Sequence, residues 1–347
     1  MFETISRLGA LLFRFICSSW DLGILKQYSN LVHKSKTHQV TIELMGGLGN
    51  QLFALMAGTY AAYKLQVKLR PYLRKPGPTE SVHKSSVRSL LSDVPVVTSL
   101  SKVERVWLAL RFVARDFARR MRVPTRWISR ITKLYVSPVV GYDKSLLAAK
   151  PGDFITGYFQ THRYMDELKM INRMPKLALT SESQWLQDHL QKLEATNPII
   201  IHVRRGDYLL EKNDFIGALG VNYYLDALRL VDRDLEHQIK NRPIWIFSDE
   251  PSLVRQEFAG ISEFESAQYI ETPDEADPAE SLFLMSAASS IVISNSTFSW
   301  WSAALSQGAT VVAPSKWFKK SEDPDSLIPS TWLRAESSWL EKPPSVS

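Results

Sequence analysis

The sequence predicts an α/β fold built on parallel sheets, and three features of the chain support this prediction. From Ser181 onward, short apolar segments alternate with segments of helical spacing, as in a doubly wound parallel sheet with right-handed crossovers. The segment Ile199–Val203 begins with three isoleucines, which is typical of a strand buried on both faces. Earlier, residues 40–45 lead through two glycines into a helical segment, so the first half also begins with a strand, a turn and a helix.

Length and composition indicate a globular protein of two domains. The chain has 347 residues, of which 45% are hydrophobic and 22% are charged, and this is long enough for two ordinary cores. We predict an N-terminal helical extension, a first domain, a second domain and a short C-terminal tail. Their expected bounds are 1–36, 37–178, 179–333 and 334–347.

The charge and the cysteine count restrict the classes of partner and compartment. A net charge of +6 and a pI of about 9.2 favour an anionic partner, which is a nucleotide sugar, a nucleic acid or an acidic membrane surface. The single cysteine, Cys17, excludes an intrachain disulfide, and no Cys/His spacing suits a zinc ion. A reducing compartment, the cytoplasm, is therefore expected.

The N-terminal segment is apolar but short. Residues 8–17 are interrupted by Arg14, whereas a bilayer span needs about 20 apolar residues. The same arginine makes the segment a poor signal peptide. We expect residues 1–36 to pack on the first domain or to lie on a membrane surface, the inner membrane face being the alternative location.

Charged residues follow the strand Ile199–Val203 at its carboxyl end. In open α/β sheets, ligands bind beyond this end of the strands. Arg204 and Arg205 suit a phosphate there, because a guanidinium donates paired hydrogen bonds and keeps its charge. A solvated turn is the alternative, and the flanking His202 and Asp207 favour the binding site.

Two further strand ends carry polar residues, as a nucleotide crevice requires. Asp249 follows the predicted strand 244–247, and residues 294–297 precede a helix that carries Trp300 and Trp301. Hydroxyls and amides at a helix start form a neutral cradle for phosphate. An ordinary helix cap with a tryptophan core is the alternative, and both descriptions are compatible.

The glycine turn near the start is a second candidate for anion binding. Gly46, Gly47 and Gly49 precede the helix 50–63, and such a turn directs backbone amides at a ligand. The dinucleotide fingerprint is incomplete, because Leu52 stands where a third glycine is needed. Asn50 either hydrogen-bonds a ligand or caps the helix.

The segment 103–121 predicts an amphipathic basic helix. We expect its apolar side to pack on the core and its arginines to face solvent. Attachment to a membrane surface or binding of a polyanion is the alternative. Between residues 70 and 101, four prolines and little periodicity predict a loop-rich region.

Four motifs, taken in order, resemble those of the α-1,2-fucosyltransferases, inverting enzymes that use GDP-fucose. HVRRGDY at His202–Tyr208 matches the family's HxRRGDY motif, and three other stretches fit the same family. They are GGLGNQLF at 46–53, GYFQ at 157–160 and SNSTFSWW at 294–301. The resemblance implies a GT-B fold of two Rossmann-like domains, with the acceptor bound by the first half, GDP-fucose by the second and the reaction in the cleft between them.

The resemblance also implies roles for individual residues. Arg204 and Arg205 neutralise charge on the departing GDP, and Asp207 is either the base for the acceptor hydroxyl or an ion pair that orients the arginines. Glu280 is the candidate for the guanine edge, one position out of register with the family's acidic residue. The catalytic candidates are Arg204, Arg205, Asp207 and Asn50, and the donor-binding candidates are His202, Arg204, Arg205, Gly47, Gly49, Asn50, Asp249, Glu280, Asn295, Ser296 and Thr297.

No metal is expected. The two Asp-x-Asp triplets, 232–234 and 323–325, lie in a predicted helix and in a proline-containing loop, and neither is the loop after a strand that holds a metal against a diphosphate. The expected partners are GDP-fucose and a galactose-terminated glycan, and no nucleic acid. A fucosyltransferase of another linkage, a basic nucleic-acid-binding protein and an inactive sugar-binding relative are the alternatives.

Overall fold

The computed structural model describes residues 38–75, 87–91, 94–120, 132–236 and 242–341. The predicted N-terminal extension and Cys17 lie outside these residues. The described chain forms two α/β halves, each built on a parallel sheet. This confirms the predicted GT-B arrangement of two Rossmann-like halves.

The first half contains a four-stranded parallel sheet of order β2-β1-β4-β3. Its strands are β1 Gln39–Leu44, β2 Lys68–Leu73, β3 Leu134–Val136 and β4 Phe154–Thr156, and its helices are α1 Leu48–Lys64, α2 Lys102–Arg120 and α3 Arg163–Met170. The predicted loop-rich character from residue 70 is wrong for β2. Pro71 is tolerated there because β2 is the edge strand of this sheet, and beyond it lies an isolated bridge to Val97.

The second half contains a six-stranded parallel sheet of order β10-β9-β8-β5-β6-β7. The alternation of strands and helices predicted from residue 181 onward is present, and β10 was not predicted. The strands are β5 Ile199–Val203, β6 Ile244–Ser248, β7 Gln268–Tyr269, β8 Ser290–Val292, β9 Thr310–Pro314 and β10 Leu333–Ala335. The helices are α4 Gln184–Thr196, α5 Val221–Asp234, α6 Pro251–Glu257, α7 Pro278–Ser286 and α8 Thr297–Leu305.

Strand β5 lies where the strand order of this sheet reverses. The chain runs outward from β5 through β6 to β7, and then returns to the other side of β5 to form β8 and β9. Crossovers on either side of such a point leave a crevice at the carboxyl ends of the two strands. The residues that follow β5 and β8 therefore lie at the topological binding position of the sheet.

Apolar packing joins the two halves through helices α1 and α8. The ring of Phe53 lies 4.5 Å from the ring of Trp300 and 5.2 Å from that of Trp301, measured between centroids. Both tryptophans are fully buried, which confirms the predicted tryptophan core. At the start of α1, Gly49 touches the main chain of Thr297, and a Cβ atom on Gly49 would lie 2.4 Å from the Thr297 carbonyl oxygen.

The predicted packing of the basic helix is wrong. In α2, Val103, Val106, Trp107 and Val113 are each between 42% and 50% exposed, so the apolar side faces solvent. The helix starts at a capping box, in which Ser101 and Glu104 each accept from the other's backbone N–H. Across the described part of the chain, no helix combines the length and hydropathy needed to cross a bilayer.

Gly49→Ala tests the approach of the two helix starts. Within a helix this change alone stabilises a protein by about 0.5–1 kcal/mol. Here the added methyl group overlaps the main chain of Thr297, so we expect a loss of about 1–3 kcal/mol in the free energy of unfolding, measured by urea denaturation. The control is Gly220→Ala, whose added Cβ meets its nearest atoms at 3.5 Å. An alanine variant at position 49 as stable as the natural protein would contradict this account.

Candidate functional site

A cavity of about 580 Å³ lies between the two halves, at the reversal point of the second sheet. This is the size of site that holds a small molecule of nucleotide scale. The first half contributes the turn 47–50. The second half contributes residues after β5, β6 and β8 and the side of α7 that faces them.

Two helix starts face the same cavity from opposite halves. Helix α1 follows Gly47, which has no side chain to cap it, and α8 follows Ser296, whose Oγ accepts from the N–H of Phe298 at 3.3 Å. Gly47, Gly49, Ser296 and Thr297 all line the cavity. The unpaired amides and the dipole at each start favour an anion between them.

Arg204 lines the cavity and is held by two carboxylates. Its Nη2 donates to Asp207 Oδ1 at 2.6 Å, and its Nη1 lies 3.2 Å from Asp249 Oδ2. Burial alone would lower the pKa of the Arg204 guanidinium, but Asp249 and Asp207 outweigh it and raise the pKa. The guanidinium is therefore cationic, rigidly placed and already partly neutralised by its neighbours.

Arg205 does not face the cavity, and its predicted contact with the diphosphate is corrected here. The side chain is fully buried, and its Nε and Nη2 donate to Glu257 Oε2 at 2.9 and 2.7 Å. Its Nη1 donates to the carbonyl of Arg204 at 2.9 Å. The chain leaves the strand at this residue, so Arg205 points toward α6 and ties the end of β5 to Glu257.

Asp249 lines the cavity but has protein partners on both oxygens. Its Oδ1 accepts from the backbone N–H of Arg205 at 2.8 Å, and its Oδ2 pairs with Arg204. Gly206, with φ of +20°, makes room for it, because a Cβ there would lie 2.3 Å from Asp249 Oδ2. Asp249 therefore fixes the loop after β5, and Gly206 is required at this contact.

His202 lines the cavity as a neutral ring. Its Nδ1 lies 2.8 Å from Ser294 Oγ, and the imidazole is buried against Phe298. Burial, and then the charge of Arg204, lower the pKa of His202 from 6.5 to about 3. At neutral pH this side chain forms hydrogen bonds and carries no charge.

Asn50 lines the cavity, and a buried glutamine orients it. Gln160 Nε2 donates to Asn50 Oδ1 at 3.0 Å, so the amide oxygen of Asn50 is occupied from behind. Gln160 itself is buried, and the neighbouring Tyr158 is 44% exposed; neither lines the cavity. The GYFQ stretch therefore supports Asn50 from outside the cavity.

Glu280 and Asn295 do not line the cavity, and their predicted ligand contacts are corrected here. Glu280 accepts from the hydroxyl and from the N–H of Ser183, at the start of α4. Asn295 Nδ2 donates to the carbonyls of Gly217 and Trp317 at 2.9 and 3.1 Å. Both side chains are buried, and buried polar groups need hydrogen-bond partners. Each therefore forms its hydrogen bonds with a neighbouring segment of the protein.

Sequence reasoning missed the wall of the cavity beside β7 and α7. Ser281 lines it in place of Glu280, one position along α7, and its hydroxyl hydrogen-bonds that of Thr272. Apolar residues complete this wall, so it combines polar and apolar groups. They are Phe247, Ile270 and Pro278. Tyr208, the last residue of the HVRRGDY motif, also lines the cavity and donates to the carbonyl of Asn295 at 3.0 Å.

The Asp-x-Asp triplets stand apart from this cavity. Asp232 and Asp234 lie in helix α5, and Asp323 accepts from the N–H groups of Trp317 and Phe318 at 2.9 Å. In the described ranges, no group of three or more His, Cys, Asp or Glu side chains is placed to hold a metal ion.

His202→Gln tests the neutral imidazole through the pH dependence of stability. With a pKa of about 3 in the folded protein and 6.5 unfolded, His202 takes up a proton on unfolding between these values, so stability falls as the pH falls below 6.5. The natural protein should lose about 1.4 kcal/mol more per pH unit than the variant between pH 6 and about 4. Urea denaturation of both proteins measures this, and equal slopes would contradict a neutral buried His202.

Comparison with known proteins identifies the family. The sequence model described as glycosyl transferase family 11 matches residues 149–330, more than half of the chain. An α-1,2-colitosyltransferase of Escherichia coli is 28% identical over 312 residues, which cover 86% of this chain and 99% of the relative. The O-antigen biosynthesis glycosyltransferase WbnK of Escherichia coli is 32% identical over 145 residues, 40% of this chain and 45% of the relative.

Among solved structures, the Escherichia coli heptosyltransferase WaaC with ADP aligns with a TM-score of 0.42 at 12% identity, over 86% of this chain and 93% of that chain. The family match includes the loop after β5, the start of α8 and the wall formed by α7. The chain therefore belongs to glycosyl transferase family 11 and is a glycosyltransferase.

Proposed function

We propose that this glycosyltransferase transfers fucose from GDP-fucose to the 2-hydroxyl of a terminal galactose, with inversion and an α-1,2 linkage. The observation that carries the proposal is the convergence of Arg204 and two helix starts on one cavity between the halves. The HVRRGDY motif and the similarity to an α-1,2-colitosyltransferase support the donor class and the linkage.

The cavity divides into a part for the diphosphate and a part for the base. The diphosphate lies between the start of α1 and the start of α8, where Arg204, Ser296 and Thr297 supply donors. The guanine lies on the wall with Thr272 and Ser281, where hydroxyls stand among apolar residues. In this assignment residues 37–178 form the acceptor half and residues 179–333 the donor half.

The reaction is a single displacement at the anomeric carbon of fucose. The bond from this carbon to the β-phosphate oxygen breaks, and the galactose O2 forms the new bond from the opposite face. A β-linked donor therefore gives an α-linked product. Negative charge grows on the departing GDP, and Arg204 with the amides of the two helix starts stabilises it without a metal ion.

Asp207 has two roles that the geometry allows. It lines the cavity, where it accepts the proton of the galactose hydroxyl in the base role. Its Oδ1 also accepts from Arg204 at 2.6 Å, which is the orienting role. The hydrogen bond to Arg204 favours the orienting role, while the second carboxylate oxygen keeps the base role open.

Colitose is the second candidate for the transferred sugar. It is the 3-deoxy form of fucose, and the relative aligned over 99% of its length carries the name α-1,2-colitosyltransferase. A site that hydrogen-bonds the 3-hydroxyl discriminates strongly between the two sugars, because its polar groups lose their partner when the hydroxyl is missing. Comparing GDP-fucose with GDP-colitose as donors therefore decides between them.

Arg204→Lys tests the proposed donor site. We expect turnover to fall by about 10²–10³-fold, because a point charge does not reproduce the forked contacts to phosphate. GDP release is measured in EDTA with GDP-fucose and a panel of galactosides, and the product linkage is determined by NMR. The control is Arg229→Lys, at a surface arginine of α5. Like Arg204, Arg229 donates to an aspartate at 2.6 Å, from its Nη1 to Asp226 Oδ1.

Normal turnover in a folded Arg204→Lys protein would contradict the donor site, and an α-1,3 or α-1,6 linkage to N-acetylglucosamine would contradict the acceptor. The same assays separate the roles of Asp207. An Asp207→Asn protein that binds GDP-fucose normally but transfers slowly assigns the base role. A parallel loss of GDP-fucose affinity assigns the orienting role.

A further inference from the structure

Helix α2 presents a strip of apolar side chains to solvent. Val103, Val106, Trp107, Leu110 and Val113 recur at intervals of three and four residues and therefore share one side of the helix. Val103, Val106, Trp107 and Val113 are 44%, 50%, 42% and 44% exposed, and Leu110 is half-buried. We call these five residues the apolar strip.

Polar contacts fix the opposite side of α2 to the first sheet. Glu104 Oε1 lies 3.1 Å from Nη2 of Arg70, which is on β2. Arg111 Nη1 donates to the carbonyl of Lys133, just before β3, at 3.2 Å. Strands β2 and β3 are the two edges of this sheet, so α2 crosses from one edge to the other. The side that faces the protein thus carries these polar contacts together with the half-buried Leu108 and Phe112, and the apolar strip is held outward.

The helix that carries the strip is strongly basic. Lys102–Arg120 contains six lysine and arginine residues and two acidic residues, a net charge of +4. Around the helix, the exposed Lys102, Arg105 and Arg120 lie on one flank of the strip. An apolar strip beside a basic flank is the pattern of a helix that lies in the plane of a bilayer surface.

We propose that α2 docks the protein on an anionic lipid surface, with the apolar strip among the lipid headgroups and the basic flank against the lipid phosphates. Trp107 suits this depth, because an indole ring is amphipathic and prefers the interface. The inference stands apart from the proposed sugar transfer, since it uses no residue of the cavity.

The charge pattern favours a bilayer over the other occupants of such a strip. A nucleic acid attracts the arginines but gives the exposed valines and Trp107 no apolar partner. A second copy that paired strip to strip would place two helices of net charge +4 against each other. An anionic bilayer satisfies both the apolar and the basic groups.

Sedimentation of the full chain with vesicles tests the proposal. One set of vesicles contains equal parts of phosphatidylcholine and phosphatidylglycerol, and the other contains phosphatidylcholine alone. We expect binding to the first set, weakened by salt, and little binding to the second. Val106→Ser combined with Trp107→Ser should weaken binding by about tenfold or more, because both apolar contacts are lost.

The matched control carries the same kind of change elsewhere in the first half. Leu147 and Met170 are 46% and 80% exposed and lie outside α2, so Leu147→Ser with Met170→Ser should leave vesicle binding unchanged. Thermal unfolding of both double variants verifies that each is folded. Absence of binding to anionic vesicles, or equal binding by the Val106/Trp107 variant and the natural protein, would overturn the proposal.

A dye at Val113 shows what covers the strip. The chain has one cysteine, so Val113→Cys in a Cys17→Ser protein accepts a single environment-sensitive label. A shift of its emission to shorter wavelength on addition of anionic vesicles supports the proposal. Emission typical of an apolar environment before vesicles are added would mean that another segment or a second copy covers the strip. A shift that occurs with duplex DNA and not with vesicles would assign a nucleic acid to the strip. Either result would overturn the proposal.

Discussion

The close approach of Gly49 to the main chain of Thr297 is the contact on which the candidate site depends. It brings the starts of α1 and α8 to one place, although the two helices belong to different halves. Behind this contact, Phe53 packs on Trp300 and Trp301, so the two halves share a continuous apolar core. A large apolar contact restricts relative motion of domains, and the cavity is therefore formed before a ligand arrives.

The charges around the cavity explain why Arg204 and Arg205 have different roles. Arg204 faces the cavity but shares its guanidinium with Asp207 and Asp249, so one cation is set against two carboxylates. A bound diphosphate therefore needs the amides of both helix starts in addition to Arg204. Arg205 has a structural role, because its guanidinium donates to Glu257 and to the carbonyl of Arg204.

The sequence allowed the fold class, the strand β5 and the cavity turns to be predicted, because apolar runs and glycines act locally. It did not distinguish Arg204 from Arg205. Alternation of side chains holds only within a strand, and the backbone departs from strand geometry at Arg205, just before Gly206. Glu280 and Asn295 were misassigned for a related reason, since their partners lie far away in the chain.

Hydrogen exchange of the backbone amides with and without GDP tests most directly whether the cavity is one anion site shared by both halves. We expect GDP to slow exchange at residues 48–50 and 297–299 together, with the same dependence on GDP concentration, because both helix starts bind one diphosphate. Protection confined to the second half, with exchange at residues 48–50 unchanged at saturating GDP, would contradict a site built from both halves.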